Sequence, residues 1–134
     1  MKKNNISLAL VTGAAHRLGR VFARTLAKQG YAILLHYNNS VDAAESTASA
    51  LRSLGAEVIL VQANLTDADS VLGLFSAVDS SPHHLRVLVN SAATMQPADA
   101  RTLSLSDWDV TMNLNLRAPF ILAQQAQIRM RDAG

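Results

Sequence analysis

The sequence predicts an α/β fold built on a doubly wound parallel sheet. Four short apolar runs recur along the chain: SLALV from Ser7, AILLH from Ala32, EVILV from Glu57 and LRVLV from Leu85. They are largely continuous rather than alternating, as expected of strands that are covered on both faces. Segments of helical periodicity separate the runs and follow the last one. Right-handed crossovers then favour a Rossmann-type half sheet with strand order 3-2-1-4, which ends after the fourth strand and a long helix.

Three apolar stripes of helical spacing predict the three crossover helices. Gly30 and Gly55 stand where the first two helices are expected to end, and Thr66 and Asp69 have the spacing of a capping box before the third. A polar loop over residues 79–84 is predicted to follow the third helix. The stripes consist of Leu18, Val21, Phe22 and Leu26; of Ala44, Ala48, Leu51 and Leu54; and of Val71, Phe75 and Val78.

The final helix is predicted to start at Ser106 as its N-cap, with Asp107 and Asp109 favourably placed in its first turn. Pro119 lies inside this helix and has no N–H to donate to the carbonyl four residues earlier, which belongs to Asn115. The sequence therefore predicts a free Asn115 carbonyl and a kink at this point. The alternative interpretation is that Pro119 merely bends a surface helix.

Composition and charge predict one globular domain, residues 1–134, and exclude several classes of function. The chain has 134 residues, of which 49% are hydrophobic, enough for one modest core. Its net charge is +2 and the basic residues are scattered, which argues against a nucleic-acid partner. There is no cysteine, so neither a disulfide framework nor a thiolate metal site is expected, and a reducing cytoplasm is favoured.

Two further features argue against a membrane and against a metal. The start, MKKNNISLALVTGAA, imitates a signal peptide, but its apolar run is short and broken by Ser7, Thr12 and Gly13. His83 and His84 have no further ligand at a suitable spacing, so they are interpreted as part of a solvated loop and no metal site is predicted. We expect a cytoplasmic protein without a membrane partner.

The residues directly after the strands are the informative ones, because ligands of such sheets bind beyond the carboxyl ends of the strands. The first strand runs into TGAAHRLG. Gly13 can make the turn, Gly19 allows close helix packing, and the new helix begins with free N–H groups at its positive end. The segment therefore predicts an anion-binding turn. A glycine turn with only a structural role is the alternative.

This segment, T-G-x-x-x-R-x-G, resembles the T-G-x-x-x-G-x-G fingerprint of the short-chain dehydrogenase/reductase family, with Arg17 at the position of the middle glycine. Together with LHYNNS at the end of the second strand, it is similar to the pteridine reductase branch and related bacterial reductases. The resemblance covers the whole chain, and it implies that the chain matches roughly the amino-terminal half of a family member.

The end of the second strand distinguishes between the two nicotinamide cofactors. An NAD site places a carboxylate there to hold the ribose 2′-hydroxyl, and no carboxylate occurs from Ala32 to Val41. Hydrogen-bond donors and the Arg17 cation would accept a 2′-phosphate instead, so NADP(H) is the predicted cofactor. A polar turn without this role is the alternative. The predicted donors are His36, Tyr37, Asn38, Asn39 and Ser40, of which Ser40 is also expected to cap the next helix.

The resemblance implies further cofactor contacts after the third and fourth strands. Asn64 stands where the family has an acid that holds the adenine amino group, and its amide oxygen can still accept one hydrogen bond while Leu65 packs on the ring. NSAA is similar to the family's N-N-A-G, with Ala93 at the glycine position. The predicted cofactor-binding residues are Gly13, Ala15, His16, Arg17, Leu18, Gly19, His36, Tyr37, Asn38, Asn39, Ser40, Asn64, Leu65, Asn90, Ser91 and Ala92.

The resemblance assigns Asn115 a catalytic role through its main-chain carbonyl, which in the family holds a water that relays protons to an active-site lysine. The family's remaining catalytic groups are a Ser and a Tyr-x-x-x-Lys pair. Tyr31 and Tyr37 are followed four positions later by Leu35 and Val41, so this pair does not occur in the chain. We expect those groups to lie beyond Gly134 and the 134-residue chain alone to be inactive.

The resulting function hypothesis is an NADP(H)-dependent short-chain reductase that transfers hydride to a carbonyl or pterin-like substrate, represented by its cofactor half. The alternative is a non-catalytic nucleotide-binding or self-associating module, and a structural remnant that binds nothing is a third possibility. A homo-oligomer is expected through the 107–131 helix, which is apolar on two sides and which the family uses in a four-helix dimer interface. The two stripes are Leu114, Ala118, Ile121 and Leu122, and Met112, Leu116, Phe120 and Ala123.

Overall fold

A computed structural model describes residues 5–133; the two lysines of the signal-like start lie outside the described residues. The strands and helices alternate as the apolar runs predict. In chain order the elements are β1 (Ser7–Val11), α1 (Arg17–Lys28), β2 (Ala32–Tyr37), α2 (Val41–Ser53), β3 (Val58–Gln62), α3 (Ala68–Ser80), β4 (His84–Val89), α4 (Leu105–Met112), a π-helical turn (Asn113–Arg117) and α5 (Ala118–Asp132).

The four strands form one parallel sheet in the order β3-β2-β1-β4, which confirms the predicted topology. Helices α1 and α2 pack on one face, and α3 and α5 pack on the other. Within residues 5–133, β3 and β4 are the edges of the sheet. The order of the strands reverses at β1, because β2 and β3 lie on one side of it and β4 lies on the other. The segments that follow β1 and β4 therefore diverge and leave a crevice.

The helix α1 buries a different face from the one its large apolar residues suggest. Its buried residues are Gly19, Ala23 and Ala27, which recur every four positions. Leu18 and Val21 are 60% and 56% exposed. Small side chains let the helix axis approach the sheet closely, and the larger ones would hold it away. The stripe in α3 is buried as predicted.

Several element ends differ from the predicted ones. The N-cap of α3 is Asp67, whose carboxylate accepts the Ser70 N–H at 2.9 Å, so the expected role of Thr66 is wrong. The α3 helix continues to Ser80 and β4 begins at His84, so the loop between them is shorter than the predicted 79–84. Glycines 30 and 55 follow α1 and α2 with φ of +92° and +88°, as expected for residues that end helices.

The long carboxyl-terminal helix starts earlier than predicted and contains a wide turn. Ser104, not Ser106, is the N-cap, and its hydroxyl accepts the Asp107 N–H at 3.0 Å. The N–H of Ala118 bonds the carbonyl of Asn113, five residues earlier. Pro119 cannot continue the regular ladder, and a π-helical turn precedes it where a kink was expected.

The two apolar sides of this long helix have different surroundings. Ala118 and Leu122 are each 1% exposed and belong to the core on the α3 side of the sheet, and Leu114 and Ile121 pack against that core. The second side remains uncovered: its exposed large residues include Leu116 and Phe120, and Trp108 near the start of the same long helix is 52% exposed. No helix among residues 5–133 combines the length and the apolar character needed to cross a membrane.

Candidate functional site

A cleft of about 610 Å³ lies at the carboxyl ends of the strands. It is formed by the β1–α1 turn and by the segments that follow β2, β3 and β4. Fifteen of the predicted cofactor-binding residues line it, and it is open rather than filled by side chains. Those fifteen are Gly13, Ala15, His16, Arg17, Leu18, Gly19, His36, Tyr37, Asn38, Asn39, Ser40, Asn64, Leu65, Ser91 and Ala92.

Two glycines shape the β1–α1 turn. Gly13 has a φ of +59°, and a Cβ on it would lie 2.9 Å from the Cα of Ala92 in the segment after β4. A Cβ on Gly19 would overlap the carbonyl of Gly13, so the first turn of α1 folds back directly onto the loop. Neither position has room for a larger residue, which supports the interpretation of TGAAHRLG as a tightly folded turn.

The start of α1 is electropositive. The N-cap residue His16 makes no side-chain cap hydrogen bond, and the first turn contains no acidic residue. The free N–H groups of this turn and the positive end of the helix dipole are therefore uncompensated by the protein. Such a helix start is suited to an anion, and a phosphate is the usual one.

Arg17 combines a strained backbone with a free cation. Its φ is +53°, and it is the only non-glycine residue of positive φ in the described part of the chain. This conformation costs about 1–2 kcal/mol for an L-residue, which explains physically why a glycine stands at this position in the related fingerprint. Among residues 5–133, no ion pair engages its exposed guanidinium, so the charge remains available at the rim of the cleft.

The prediction that His36 donates a hydrogen bond to a phosphate is wrong. Its side chain is 2% exposed, and both ring nitrogens are engaged by the backbone. Nδ1 accepts the N–H of Gly13 at 3.0 Å, and Nε2 lies 2.9 Å from the carbonyl of Ala63. Burial lowers the pKa of His36, and the Ala63 carbonyl offsets this only in part. The residue holds the turn and has no donor left for a ligand.

Thr12 fastens the β1–α1 turn to the segment after β4, a contact that the sequence did not reveal. Its hydroxyl oxygen accepts the N–H groups of Ser91 and Ala92, each at 3.1 Å, and lies 3.4 Å from the Val89 carbonyl. The side chain is 1% exposed. The sequence signal that could have identified Thr12 is its position at the end of β1, directly before Gly13, because a hydroxyl that is buried at a strand end needs hydrogen-bond partners.

Thr47 secures the same turn from the side of α2. Its buried hydroxyl donates to the carbonyl of Ala15 at 2.6 Å. Thr47 lies inside a helix and far from the glycine turn in sequence, so no local pattern identifies it. The cleft is also lined by four residues that were not predicted: Thr66, Ala93, Thr94 and Leu114.

The end of β2 presents polar groups at the rim of the cleft. Gln62 at the end of β3 donates through Nε2 to both the main-chain oxygen and the Oδ1 of Asn38, at 3.3 Å each. This contact occupies the oxygen of the Asn38 amide and leaves its NH₂ group as the free end. Ser40 is the N-cap residue of α2, but its side chain makes no cap hydrogen bond, so that part of the prediction is wrong. Among residues 5–133, no Asp or Glu lines the cleft.

The side chain of Asn64 is turned to a local partner. Its Oδ1 accepts the backbone N–H of Thr66 at 3.1 Å and the Thr66 hydroxyl at 2.7 Å. The oxygen that was expected to accept from an adenine amino group is therefore engaged, and the prediction is wrong for the side chain as it stands in this structure. Ala93 does not have a positive φ, so the replacement of glycine there carries no backbone strain.

Asn115 and Asn90 lie outside the lining of the cleft. Asn115 reaches it indirectly: its side chain bonds the backbone of Thr94, and both Thr94 and its neighbour Leu114 line the cleft. Asn90 is exposed and does not line the cleft, in contrast to the prediction. Met95 is 88% exposed and is also absent from the lining.

The two histidines of the predicted solvated loop have separate surroundings. His83 Nε2 lies 2.7 Å from a carboxylate oxygen of Glu57, while His84 is the first residue of β4. In the described part of the chain, no three His, Cys, Asp or Glu side chains come together as a group that could hold a metal ion.

Comparison with known proteins identifies the family. The model of the short chain dehydrogenase family matches residues 7–134. The chain belongs to this family. A 3-oxoacyl-[acyl-carrier-protein] reductase, FabG of Staphylococcus aureus, is 34% identical over 122 residues, which are 91% of this chain and 50% of that protein. The chain spans about half the length of the curated relatives it matches.

Solved structures of several proteins, short-chain dehydrogenases among them, show the same fold. A blue fluorescent protein from a metagenomic library, in complex with NADPH, has a TM-score of 0.88 and 30% identity over 94% of this chain and 52% of its own. The FolM alternative dihydrofolate reductase 1 of Brucella canis, complexed with NADP, has a TM-score of 0.84 and 31% identity over 92% of this chain and 50% of its own. The α/β architecture is thus that of short-chain dehydrogenases, and relatives with bound NADP share it.

Proposed function

We propose that the cleft binds NADP(H) and that the chain is the cofactor-binding half of a short-chain reductase. The observation that carries the proposal is the charge distribution of the cleft. The uncapped start of α1 and the free Arg17 guanidinium lie on one side, and the end of β2 adds polar groups without any carboxylate. This arrangement attracts phosphates at two points, as a dinucleotide with a further 2′-phosphate requires.

The preference for NADP(H) over NAD(H) follows from the rim formed by the end of β2. A 2′-phosphate carries nearly two negative charges, and an Asp or Glu at this rim would repel it. Here Asn38, Asn39 and Ser40 supply neutral donors, and Arg17 supplies a positive charge across the cleft. The bound NADPH and NADP of the two similar structures agree with this preference.

The proposed reaction is hydride transfer to a carbonyl or pterin-like substrate, in the manner of the pteridine reductase branch. The motif with Arg17, the HYNNS segment and the 31% identity to the FolM reductase support the branch. NADPH, when bound, supplies the hydride. From this chain Asn115 is proposed to take part in catalysis through its carbonyl, while its side chain positions Thr94 at the cleft. Because the 134 residues contain no Tyr-x-x-x-Lys, we propose cofactor binding without turnover for the chain alone.

The chain is further proposed to act in the cytoplasm and to associate with itself. Leu116 and Phe120, 61% and 64% exposed, lie one helical turn apart, and Trp108 and Met112 continue their side of the long helix. An apolar helix face of this kind gains free energy when it is covered. A second copy of the same helix, packed antiparallel, is the proposed cover.

Fluorescence titration with NADPH and NADH tests the proposed cofactor. We expect NADPH to bind more tightly, and tighter binding of NADH would overturn the proposal. Arg17→Ala should weaken NADPH binding about tenfold while changing NADH binding less, because it removes a charge-assisted contact to phosphate. Asn39→Asp should also reduce the preference for NADPH over NADH, because it places a carboxylate at the rim. Arg20→Ala, on the exposed surface of α1, is the matched control for loss of a positive charge.

A further inference from the structure

His36 connects three strand ends through its ring and its backbone. The ring bonds the N–H of Gly13 in the β1–α1 turn and the carbonyl of Ala63 after β3, at 3.0 and 2.9 Å. The main-chain carbonyl of the same residue accepts the N–H of Ala14 at 3.0 Å. The turn that begins the phosphate-binding loop is thus attached to β2 at two successive residues, and both attachments pass through His36.

The hydrogen-bond partners of the ring determine its protonation state. A backbone N–H can only donate, so the Nδ1 that faces Gly13 must be an acceptor without a proton. A carbonyl can only accept, so the Nε2 that faces Ala63 must carry one. His36 is therefore the neutral Nε2–H tautomer, and a second proton on Nδ1 would place two donors against each other in a site that is almost fully buried.

We propose that His36 is a positioning residue which holds the β1–α1 turn in its dinucleotide-binding shape only while its ring is neutral, so that protonation of Nδ1 weakens NADP(H) binding. This inference rests on the proposed function, because it concerns the same cleft. Gly13 cannot keep its N–H directed at a protonated ring, so the turn must shift at a residue that the segment after β4 approaches closely; a Cβ on Gly13 would lie 2.9 Å from the Cα of Ala92. Release of Gly13 moves the loop whose N–H groups and helix start receive the phosphates.

The groups around the ring favour the neutral form. On the face of the sheet toward which His36 points, Asp67 begins α3 and Arg117 of the π-helical turn donates to the carbonyl of Thr66. On the turn and on β2 the titratable or charged neighbours are His16, Arg17 and Tyr37, and none of these groups hydrogen-bonds the ring within residues 5–133. The helices α1 and α2, on the opposite face, bury no charged side chain. Burial accordingly lowers the pKa of His36 without an opposing ion pair.

The pH dependence of NADPH binding tests the proposal. The affinity of the unaltered chain and of two variants is measured from about pH 7.5 down to the lowest pH at which the chain stays folded, because burial moves the titration of His36 below the ordinary histidine range. His36→Asn keeps an acceptor oxygen near the place of Nδ1, and His36→Gln keeps a donor near the place of Nε2, and neither variant titrates. The 2′-phosphate of the cofactor also titrates, with a pKa of about 6. Its contribution is the same for all variants, so the difference between the unaltered chain and the variants reports on His36.

We expect the unaltered chain to lose about tenfold more affinity over this range than His36→Asn, since one buried donor becomes unsatisfied. His36→Gln should already bind weakly at the upper pH, because it leaves Gly13 without an acceptor. His84→Gln, which alters an exposed histidine at the start of β4 and outside the lining of the cleft, should retain the pH dependence of the unaltered chain. Equal pH profiles for the unaltered chain and His36→Asn would overturn the proposal.

Two measurements on the unaltered chain without ligand keep the test independent of cofactor binding and of the folding of the variants. Nitrogen-15 NMR of the histidine rings should show His36 as the Nε2–H tautomer at neutral pH, and the other tautomer or a charged ring would overturn the proposal. The hydrogen-exchange protection factor of the Gly13 amide should fall on acidification. If NADPH does not bind at all, the proposed function fails while these two measurements still decide the role of His36.

Discussion

Two hydrogen bonds of opposite direction join the side chain of Asn115 to the backbone of Thr94. Its Oδ1 accepts the Thr94 N–H at 2.9 Å, and its Nδ2 donates to the Thr94 carbonyl at 2.6 Å. Asn115 lies in the π-helical turn and Thr94 lines the cleft, so the turn fixes the segment that follows β4. This contact is separate from the role of the Asn115 carbonyl that the family resemblance implies.

Replacing Asn115 by Ala should loosen the segment after β4 while preserving the main-chain carbonyl. We expect the Thr94 amide to exchange faster with solvent and the free energy of unfolding to fall by about 1–2 kcal/mol, the net effect of two hydrogen bonds. Hydrogen exchange and urea denaturation measure the two effects. Asn113→Ala in the same turn is the control, and unchanged exchange at Thr94 in the Asn115 variant would contradict the prediction.

Replacing Gly19 by Ala should damage the β1–α1 turn. The added Cβ would overlap the Gly13 carbonyl, so the turn or the start of α1 must move apart. We expect a loss of about 1–3 kcal/mol in the free energy of unfolding, as for other overpacked sites, together with a loss of NADPH affinity in the same titration.

Gly73→Ala is the matched control for that substitution. Gly73 lies in the exposed part of α3, and an added Cβ there would meet no atom within 4 Å. Since Ala favours a helix over Gly, this variant should be more stable by about 0.5–1 kcal/mol. If the two substitutions had the same effect on the thermal midpoint, the close contact between Gly19 and Gly13 would not be a determinant of stability.

The architecture could be predicted because parallel strands and crossover helices leave strong local signals. The runs that begin at Ser7, Ala32, Glu57 and Leu85 are apolar throughout because helices cover both faces of the sheet. Right-handed crossovers then favour a Rossmann-type half sheet, whose strand order is the one observed. The buried face of α1 was not predictable in the same way, because Gly19, Ala23 and Ala27 are weakly hydrophobic and are selected by the distance between helix and sheet.

The sequence predicted most of the residues that line the cleft, but it did not predict which hydrogen bonds their side chains make. His36 was expected to face a ligand, yet its ring bonds Gly13 and Ala63, which lie 23 and 27 residues away in the chain. The partners of Thr12 are still further away, 79 and 80 residues along the chain. Such pairings depend on strand register and loop shape, and only the three-dimensional structure brings those groups together.

The uncovered side of the long helix should cause self-association that a single charge disrupts. We expect a dimer in multi-angle light scattering at micromolar concentration, and Leu116→Glu should weaken it at least about tenfold by removing one apolar side chain from the interface. Leu72→Glu, which alters an exposed leucine of α3, should leave the dimer intact. A dimer that survives Leu116→Glu would indicate pairing through the edge strand β4 instead.

The stability of the fold should decrease with acidification in a window set by His36. Its folded-state pKa lies below the ordinary value of 6.5 because the ring is buried. Above that value both the folded and the unfolded states hold a neutral ring, and the full stability is present. As the pH falls below it, the unfolded chain takes up a proton first, so the free energy of unfolding falls by at most about 1.4 kcal/mol per pH unit until the folded state is protonated as well.

Urea denaturation at a series of pH values measures this slope, and His36→Asn identifies its origin. Because Asn does not titrate, the variant should show a flatter pH dependence below 6.5 than the unaltered chain, although it is less stable at neutral pH. Asp79, whose pKa is lowered by Arg129, loses its contribution only as the pH falls through the carboxylate range, which lies below the ordinary histidine value at which the His36 window begins. His84→Gln removes an exposed histidine and should leave the slope unchanged. If the variant had a slope as steep as that of the unaltered chain, His36 would be protonated as readily in the folded state as in the unfolded one. That result would contradict the prediction, because the two hydrogen bonds between the ring and the backbone favour the neutral ring in the folded state.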